Sequence, residues 1–582
     1  MEADHSQLLS EADRIARDAF KDYIEGHERL SGEITLDIEA LTPLFIGGNE
    51  SDNRISFAPG GESILPGSSL RGMFKNIFKI VTCGAFRGGN SKLRKGEDFN
   101  DESIYYRCIM SIKAQPWTRD LNSYYSSRTT NKLKGPDGRL MLVKNARPGF
   151  LLKLMDGRYV IAPSRYAHDR KEDRIAAWDF KKIFPAADKS AVLWKDKTAY
   201  IFTGHNAKKK YIRFTSLDHV DWSRDHWFEL SDELCRSYEH DRNRGGVDLF
   251  NDKGILDRDR LKRMLKNLPE DVMTLVPCHF LEKHGEVNAF GHGQCFRIPY
   301  LHRISDAVPS ELKTDMIDFA DAVFGRESYW ASRVFFDDAK PVTPPKTLPT
   351  AAAHPLMQPN PTSYQLYLKQ SGNRLDHWDT SGALIRGYKL YWHNPKADWR
   401  ANTAELNLDK GKPADKRLTR DITPLDKGSK FKSKIRFNNL SAVELGALLM
   451  VFDLDGKGAT AAYKLGQGKS FGFGSIKVKA TLFIERNDAY EDLLDADGWT
   501  NPLRAEDTQL YLNAFKNYIK ARKLESVWAQ VMRELNAMLD WSKTTLNGWS
   551  ERVSSMSGDV RNVDPRFKDR TPLPTIFDVL KG

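Results

Sequence analysis

Two short segments, one near each end of the chain, alternate between apolar and polar side chains. Apolar residues occupy every second position in both, as Ile34, Leu36, Ile38 and Ala40 in the first and as Ile476, Val478, Ala480 and Leu482 in the second. Successive side chains of a β-strand point to opposite faces of a sheet. The alternation therefore predicts half-buried strands over residues 33–40 and 474–484.

Other segments carry apolar residues at the three- and four-residue spacing of a helix face. This spacing predicts helices over residues 6–25, 68–81 and 440–452, and two more within residues 505–545. The helix of residues 68–81 follows a turn at Pro66 and Gly67, and Ser68 or Ser69 can cap it.

The middle of the chain has weaker patterns. Residues 83–275 are polar, basic and rich in turns, with strand-like pieces at 150–162 and 198–203, which predicts a large insertion or several small ones. Residues 341–361 contain seven prolines and suit an extended connector. Residues 409–436 hold few apolar side chains and many lysines and arginines, so we interpret them as a basic, solvated loop.

Charge and composition narrow the class of protein. The chain of 582 residues has a net charge of +11, which favours a polyanionic partner such as nucleic acid. No apolar run is long enough for a membrane-spanning helix, and the acidic N-terminus does not match a secretory signal. The five cysteines are odd in number and form no CxxC pair, so we expect no disulfide framework and a cytoplasmic location.

A glycine-rich segment, GQGKSFGFG at residues 466–474, matches none of three common motifs completely. It lacks the first glycine of a Walker A loop, because Tyr463 stands there, and the third glycine of a dinucleotide fingerprint. Its G-x-S-x-G match precedes a predicted strand, whereas a nucleophile elbow leads into a helix. Two interpretations remain: peptide N–H groups and Lys469 that bind a phosphate, or a tight turn that needs positive φ angles.

The densest group of possible zinc ligands lies in the middle of the chain. Its members are Cys278, His279, His284, His292 and Cys295. Zinc sites usually pair their ligands two to four residues apart, and this group lacks that regularity. We interpret these residues as ordinary core or surface positions.

Several segments together resemble a known family. They are TPLFIGG at 42–48, ILPGSSLRGMFKN at 64–76, FGHGQCFRIPY at 290–300, ADAVFGRESYWASRVFFDDA at 320–339, IRGYKLYWH at 385–393 and LGQGKSFGFGSIKV at 465–478. In this order they resemble the CRISPR-associated RAMP superfamily. Within it they are similar to backbone subunits of type III effector complexes, in a subgroup with long insertions.

The resemblance implies an α+β fold with a ferredoxin-like, RRM-related β-α-β-β-α-β core, a large insertion and a C-terminal helical extension. The inner strands are expected near 330–337 and 385–393. The expected organisation is an N-terminal helix (1–32), core segments (33–86, 276–340 and 364–485, the last containing the basic loop 409–436), a thumb- or finger-like insertion (87–275), a proline-rich connector (341–363) and a C-terminal helical region (486–582).

The resemblance also implies that the protein binds a guide RNA by its phosphates. The residues expected to contact RNA are Ser68, Ser69, Arg71, Lys75, Gly466, Gly468, Lys469, Ser470 and Arg333. Serine hydroxyls, helix N-terminal amides and basic side chains are common phosphate ligands. The alternatives are that the serines only cap the helix, that the glycines only form a turn, and that Arg333 pairs with Asp337 or Asp338.

Some type III backbone subunits cleave the target RNA through an aspartate in the loop before PGSS, and Asp52 lies at about that place. Such a carboxylate can bind Mg²⁺ or Mn²⁺ or position the ribose hydroxyl for attack. Glu50 and Glu62 are nearby alternatives, and Asp52 can also be an ordinary turn residue. The partners implied are guide RNA, target RNA and other effector subunits, with no membrane.

Two other functions remain open. The chain can be a non-catalytic subunit that binds or caps RNA in the same kind of complex. It can also be a guide-processing RAMP endoribonuclease, a class that often uses histidine acid–base chemistry without a metal. We rank the guide-processing hypothesis third, because no histidine is near the first strand or the glycine-rich segment in the sequence.

Overall fold

The structure is a computed structural model. It describes residues 11–48, 54–86, 99, 101–107, 116–134, 140–144, 146–166, 175–176, 192–201, 211–241, 248–251, 254–292, 296–313, 317–327, 330–356, 360–370, 375–454, 460–486, 501–555 and 564–581. The chain divides into two compact units. The first comprises residues 1–100, 308–359 and 384–582, and the second comprises residues 101–307 and 360–383. The second unit thus extends further along the chain than the insertion predicted over 87–275.

The first unit is built on an antiparallel sheet with two helices. In chain order its elements are β1 (Leu30–Ala40), α1 (Gly67–Val81), β2 (Val334–Phe336), β3 (Lys430–Leu440), α2 (Ala442–Met450) and β4 (Ser475–Glu485). The strand order across the sheet is β2-β3-β1-β4. This β-α-β-β-α-β succession with β1 in the interior of the sheet is the ferredoxin-like arrangement, which confirms the predicted α+β fold.

One face of this sheet is apolar because the strands alternate. Ile34 of β1 lies opposite Ile435 of β3 and Leu482 of β4, and all three are fully or almost fully buried. Phe74 and Phe78 of α1 and Leu445 and Leu448 of α2 belong to the same buried cluster. The helices therefore cover one face, and the charged positions of the strands lie on the other.

The third core strand is not where the sequence analysis placed it. No strand is present over residues 385–393 in the described part of the chain, so that prediction is wrong. The strand is β3, which lies at the end of the segment interpreted as a basic loop. Its residues alternate between exposed lysine or arginine and buried Phe431, Ser433, Ile435 and Phe437. The strand near 330–337 is confirmed as β2.

The two core helices begin in different ways. Ser441 caps α2 in a capping box, since its side chain accepts from the Glu444 amide while the Glu444 carboxylate accepts from the Ser441 amide. The N-cap of α1 is Pro66, which has no side chain that can accept, so neither Ser68 nor Ser69 is the cap.

The C-terminal region adds two helices to the core, α3 (Thr508–Ala521) and α4 (Glu525–Leu539). They confirm the two helices predicted within residues 505–545. Phe515 of α3 and Leu535 of α4 belong to the core cluster. A Cβ atom on Gly446 of α2 would stand 2.0 Å from the Tyr511 carbonyl oxygen, so the backbones of α2 and α3 touch there. The other elements of this unit are helices Glu11–Glu25, Phe319–Phe324, Thr403–Leu408, Trp549–Arg552, Pro565–Lys568 and Ile576–Lys581 and strands Lys340–Pro341, Ala351–Ala353, Arg420–Ile422, Tyr463–Lys464 and Leu503–Ala505.

The second unit contains a ten-stranded sheet, so it is more regular than its sequence suggests. The sheet is formed by strands Arg147–Leu154, Tyr159–Tyr166, Ile175–Ala176, Val192–Lys195, Thr198–Ile201, Tyr211–Val220, Phe228–Glu229, Leu256–Asp257, Val272–Lys283 and Glu286–Gly291. Two separate two-stranded sheets complete it, Thr130–Lys134 with Leu140–Lys144 and Tyr105–Tyr106 with Ile298–Pro299, together with the helices Pro116–Thr129, Asp232–His240 and Arg258–Met264. None of the helices described in either unit is long and apolar enough to cross a membrane.

Candidate RNA-binding site

The segment that follows β1 is held at the end of the sheet by backbone hydrogen bonds. The Leu41 amide donates to the Ser475 carbonyl at 2.8 Å, and the Leu44 amide donates to the Leu425 carbonyl at 3.0 Å. This segment is the TPLFIGG motif, and it connects the start of β4 with the chain that leads into β3. Its position is thus determined by the core sheet.

The glycine loop, residues 466–474, packs on this segment. The Gln467 amide donates to the Phe45 carbonyl, and the Gly474 amide donates to the Pro43 carbonyl, both at 2.8 Å. A Cβ atom on Gly47 would stand 2.8 Å from the side-chain nitrogen Nε2 of Gln467, so the two motifs are in contact. Two motifs that lie more than 400 residues apart in sequence therefore form one surface.

The glycines of the loop are required by its conformation. Gly466, Gly468, Gly472 and Gly474 all have positive φ, between 71° and 95°. A Cβ atom on Gly474 would stand 1.9 Å from the Leu465 carbonyl oxygen, and one on Gly466 would stand 2.5 Å from that of Phe45. The turn interpretation of this segment is confirmed, and phosphate binding by Gly466, Gly468, Lys469 and Ser470 stays a prediction.

The loop that contains Asp52 begins and ends beside the glycine loop. The Phe57 amide donates to the Ile46 carbonyl at 2.7 Å, and the Ile46 amide donates to the Ser56 hydroxyl at 3.2 Å. These bonds close the base of the loop next to Phe45 and Gln467. Asp52 and Glu50 lie outside the described residues, and Glu62 is exposed.

Helix α1 begins at the same end of the sheet. The Ile64 amide donates to the Phe57 carbonyl at 3.2 Å, and Leu65 pairs with Ala339 just beyond β2. The Asp338 carboxylate accepts from the Gly67 amide at 2.7 Å and so occupies the first donor of the helix. Ser68 is exposed and Ser69 is partly exposed.

Arg71 and Lys75 point along α1 toward one aromatic ring. Arg71 donates to the Phe324 carbonyl at 2.6 Å, and its guanidinium lies 5.6 Å from the centre of the Phe324 ring. The Lys75 ammonium lies 6.0 Å from the same ring. Partial burial lowers the pKa of Lys75, and the adjacent Arg71 charge lowers it further. Both cations remain partly exposed, and their contact with RNA stays a prediction.

Arg333 has a structural role that differs from both sequence interpretations. Its side chain is 10% exposed and pairs with Glu444, which is 1% exposed. Its guanidinium also donates to the carbonyls of Ala322 and Asn439, at 3.0 and 2.7 Å. Asp337 and Asp338 have other partners, namely Arg436 and the Gly67 amide. Because these bonds engage the guanidinium with protein groups, we withdraw Arg333 as an RNA contact.

Lys464 supports the glycine loop from behind, and the sequence analysis missed it. Its ammonium donates to the Phe473 carbonyl at 2.9 Å and to the Gly472 carbonyl at 3.3 Å. Burial, with the nearby Lys469 charge as a smaller cause, lowers the pKa of Lys464 to about 7. In the sequence, the only sign of this role is that Lys464 lies two residues before Gly466. That position does not reveal that its side chain bonds to the carbonyls of Gly472 and Phe473.

Two histidines also lie beside the glycine loop, although none is near it in sequence. The ring of His393 binds Ser475 through Nδ1 at 2.9 Å and the Ala462 carbonyl through Nε2 at 3.1 Å. A carbonyl only accepts, so Nε2 carries the proton and Nδ1 accepts from the hydroxyl. Burial lowers the pKa of His393 to about 3, which keeps it neutral.

The second histidine beside the glycine loop is His354. Its ring centre lies 6.1 Å from the ring centre of Phe471. Its nitrogens bind Glu405 at 2.7 Å and the Asp398 carbonyl at 3.0 Å. The absence of histidines near the loop in sequence therefore does not extend to the folded structure. Both rings have both nitrogens engaged with protein groups, so neither offers one to a ligand.

The C-terminal region also contacts the glycine loop. The Ser555 hydroxyl donates to the Ser470 carbonyl, and the Trp549 indole donates to the His393 carbonyl at 2.7 Å. Asn394, next to His393, accepts a hydrogen bond from the Ser550 hydroxyl at 3.0 Å. The C-terminal region therefore helps to hold the candidate site.

The cysteines and histidines considered as zinc ligands do not form a metal site in the part of the chain that the structure describes. Within the described ranges, no three His, Cys, Asp or Glu side chains are grouped so that they could hold a metal ion. Cys278 is fully buried, and burial raises the pKa of its thiol. His279 is also buried and binds the His292 carbonyl through Nδ1. These residues behave as core positions.

Comparison with known proteins supports the fold assignment. The sequence model of the RAMP superfamily matches residues 37–477, which is about three quarters of the chain and spans both the TPLFIGG segment and the glycine loop. A search of curated proteins finds no match.

Proposed function

Since the chain belongs to the RAMP superfamily of CRISPR-associated, RNA-binding proteins, we propose that it is a guide-RNA-binding backbone subunit of a type III effector complex. One observation carries the proposal. The TPLFIGG segment is hydrogen-bonded to the glycine loop, and the chain that leaves it returns to the start of α1. Three motifs that the sequence separates therefore share one end of the core sheet.

The chemistry of this surface suits a phosphate backbone. Ser68 and Ser69 lie in the first turn of α1, where hydroxyls and helix amides attract anions. Lys469 and Ser470 lie on the glycine loop, and both are partly exposed. Contacts of this kind position an RNA strand without reading its bases, while guide–target pairing supplies the sequence specificity.

We further propose that Asp52 cleaves the paired target RNA with Mg²⁺ or Mn²⁺. The described ends of the loop that contains it are hydrogen-bonded to each other beside the glycine loop, which supports a place for Asp52 near an RNA strand bound there. The described residues contain no cluster of three or more His, Cys, Asp or Glu side chains that could hold a metal ion, so the metal hypothesis starts from Asp52. A non-catalytic subunit remains the main alternative. The buried, neutral His393 and the fully bonded His354 make the histidine-based guide-processing alternative weaker.

The test compares Asp52→Ala with Glu62→Ala in the assembled complex. Both variants remove one carboxylate from the same connection between β1 and α1. We expect Asp52→Ala to slow target cleavage by on the order of 100-fold or more at the positions this subunit serves. We expect Glu62→Ala to cleave like the wild type, and the guide RNA recovered with both complexes to be unchanged.

Cleavage by Asp52→Ala at every position would refute the catalytic proposal and leave a non-catalytic subunit. Purification without a discrete guide RNA would refute the backbone-subunit proposal itself. Metal dependence is read separately, since chelation should stop cleavage and added Mg²⁺ or Mn²⁺ should restore it.

A further inference from the structure

An open groove with a volume of about 660 Å³ lies on the second unit, and none of the residues assigned above lines it. One wall carries three basic residues, Arg258, Lys262 and Lys266. Three apolar side chains, Met155, Leu265 and Leu268, and two acidic ones, Glu270 and Asp271, line the rest. Met155 is 61% exposed, so it presents an apolar surface to solvent.

The two lysines of the groove are available for a ligand. Lys262 lies in the helix Arg258–Met264, and Lys266 follows just beyond the helix end, after Leu265, which has an extended backbone. Both are exposed, and within the residues that the structure describes neither forms an ion pair. A charged ligand would therefore not have to displace a protein partner from them.

The rest of the wall is fixed by contacts within the protein. Arg258 donates to the Val272 carbonyl at 2.7 Å, which holds the start of the helix against its strand. Asp271, one of two acidic residues on the groove, is paired with Arg224 at 2.5 Å. This pair offsets one of the two acidic charges, and the groove keeps a positive excess.

We propose that this groove binds a short stretch of single-stranded RNA, as a second contact surface apart from the one on the core sheet. Lys262 and Lys266 bind consecutive phosphates, and the Met155 and Leu268 side chains contact the face of a base. A cavity of this volume holds a ligand of drug size, which corresponds to about one or two nucleotides. The inference rests on the proposed function, because it requires that the protein meets RNA.

The charge pattern favours RNA over an acidic protein. Residues 257–266, DRDRLKRMLK, hold five basic side chains against two acidic ones. The ammonium groups are mobile and strongly hydrated, which suits phosphates as point charges more than the bidentate pairing that a carboxylate partner prefers. The apolar wall adds a surface on which a base can lie.

The experiment measures binding of a fluorescent 30-nucleotide oligouridine to the purified full-length chain. The double variant Lys262→Ala/Lys266→Ala is compared with Arg236→Ala/Lys283→Ala. The control removes the same two charges from exposed positions of the same unit that do not line the groove. We expect the groove variant to raise Kd on the order of tenfold at 0.1 M salt. We also expect it to reduce the slope of log K against log salt by about 1.4, because each single-strand phosphate contact contributes about 0.7.

The outcomes separate the two proposals. Equal Kd values and salt slopes for both variants, in a wild type that binds RNA, would overturn the groove proposal and leave the proposed function intact. Loss of a protein subunit from the complex, with RNA affinity unchanged in the groove variant, would assign the groove to a protein and also overturn it. A wild type that binds no RNA, either alone or in its complex, would overturn the proposed function itself.

Photo-crosslinking gives a second readout that does not depend on variants. Oligouridine that contains 4-thiouridine should crosslink to peptides covering residues 258–273 in the wild type. Crosslinks confined to the first unit would contradict the proposal.

Discussion

Single residues at the candidate site owe their roles to contacts between distant parts of the chain. Lys464 is an ordinary lysine in sequence, yet its ammonium donates to two carbonyls of the glycine loop. Arg333 matches a family segment, yet it is buried against Glu444, 111 residues away. Neither role follows from neighbouring residues, because both depend on where the sheet places the side chain.

Lys464 should make stability depend on pH. Burial lowers its pKa from 10.5 to about 7 in the folded chain, whereas the unfolded chain keeps the ordinary value. Between these values the unfolded state binds more protons, so the free energy of unfolding rises with pH. The contribution is up to about 1.4 kcal/mol per pH unit. Lys464→Met should flatten the rise between pH 7 and 10 relative to the wild type.

The measurement is urea unfolding at several pH values. Lys479→Met is the matched control, because Lys479 is exposed on β4, the strand that follows the loop in sequence. This control should retain the wild-type pH dependence. An identical slope in the wild type and in Lys464→Met would show that the ammonium is not buried as described.

At the scale of elements, regular patterns were predicted well and a mixed pattern was not. The alternation of β1 and β4 and the apolar faces of α1 to α4 were visible in the sequence. Strand β3 has the same alternation, but its polar positions are lysine and arginine, and its low apolar content led to the loop interpretation. Period, rather than apolar content, was the informative quantity there.

Two helix glycines should respond in opposite ways to the same substitution. Gly72→Ala on α1 meets no atom within 4 Å and should stabilise the protein by up to about 1 kcal/mol, because alanine is the better helix former. Gly446→Ala on α2 forces its Cβ against the Tyr511 backbone and should destabilise by about 1–3 kcal/mol. Thermal unfolding of both variants measures the difference. Equal stabilisation would contradict the close contact between α2 and α3.

At the scale of the whole molecule, the net charge of +11 overstates the positive charge that is available to RNA, because some basic side chains are paired with acidic ones. Exposed lysines of β3 pair with acidic residues of β1, as in Lys434 with Glu33 at 3.1 Å and Lys432 with Asp37 at 3.7 Å. Part of the basic segment is therefore neutralised on the outer face of the sheet. Exposed ion pairs of this kind add little stability, but they leave less free charge for a polyanion.

RNA binding by the whole protein should still depend strongly on salt. A strand held through about six phosphates gives a slope of log K against log salt near −4. The slope is measured with oligouridine between 50 and 200 mM salt. A slope near zero would contradict binding led by phosphates, and it would then point to stacking or base contacts.

The sequence by itself determined the class of fold, because apolar periodicity and the order of the family motifs are local properties of the chain. It also located the glycine loop, since positive φ angles and close backbone approach require glycine. It did not determine β3, the partner of Arg333, or the histidines beside the loop. Those depend on pairings between residues tens to hundreds of positions apart, and only the assembled sheet decides which distant side chains meet. The groove on the second unit also depends on tertiary structure, because it brings Met155, in the turn after the strand Arg147–Leu154, beside the helix Arg258–Met264 and the residues that follow it.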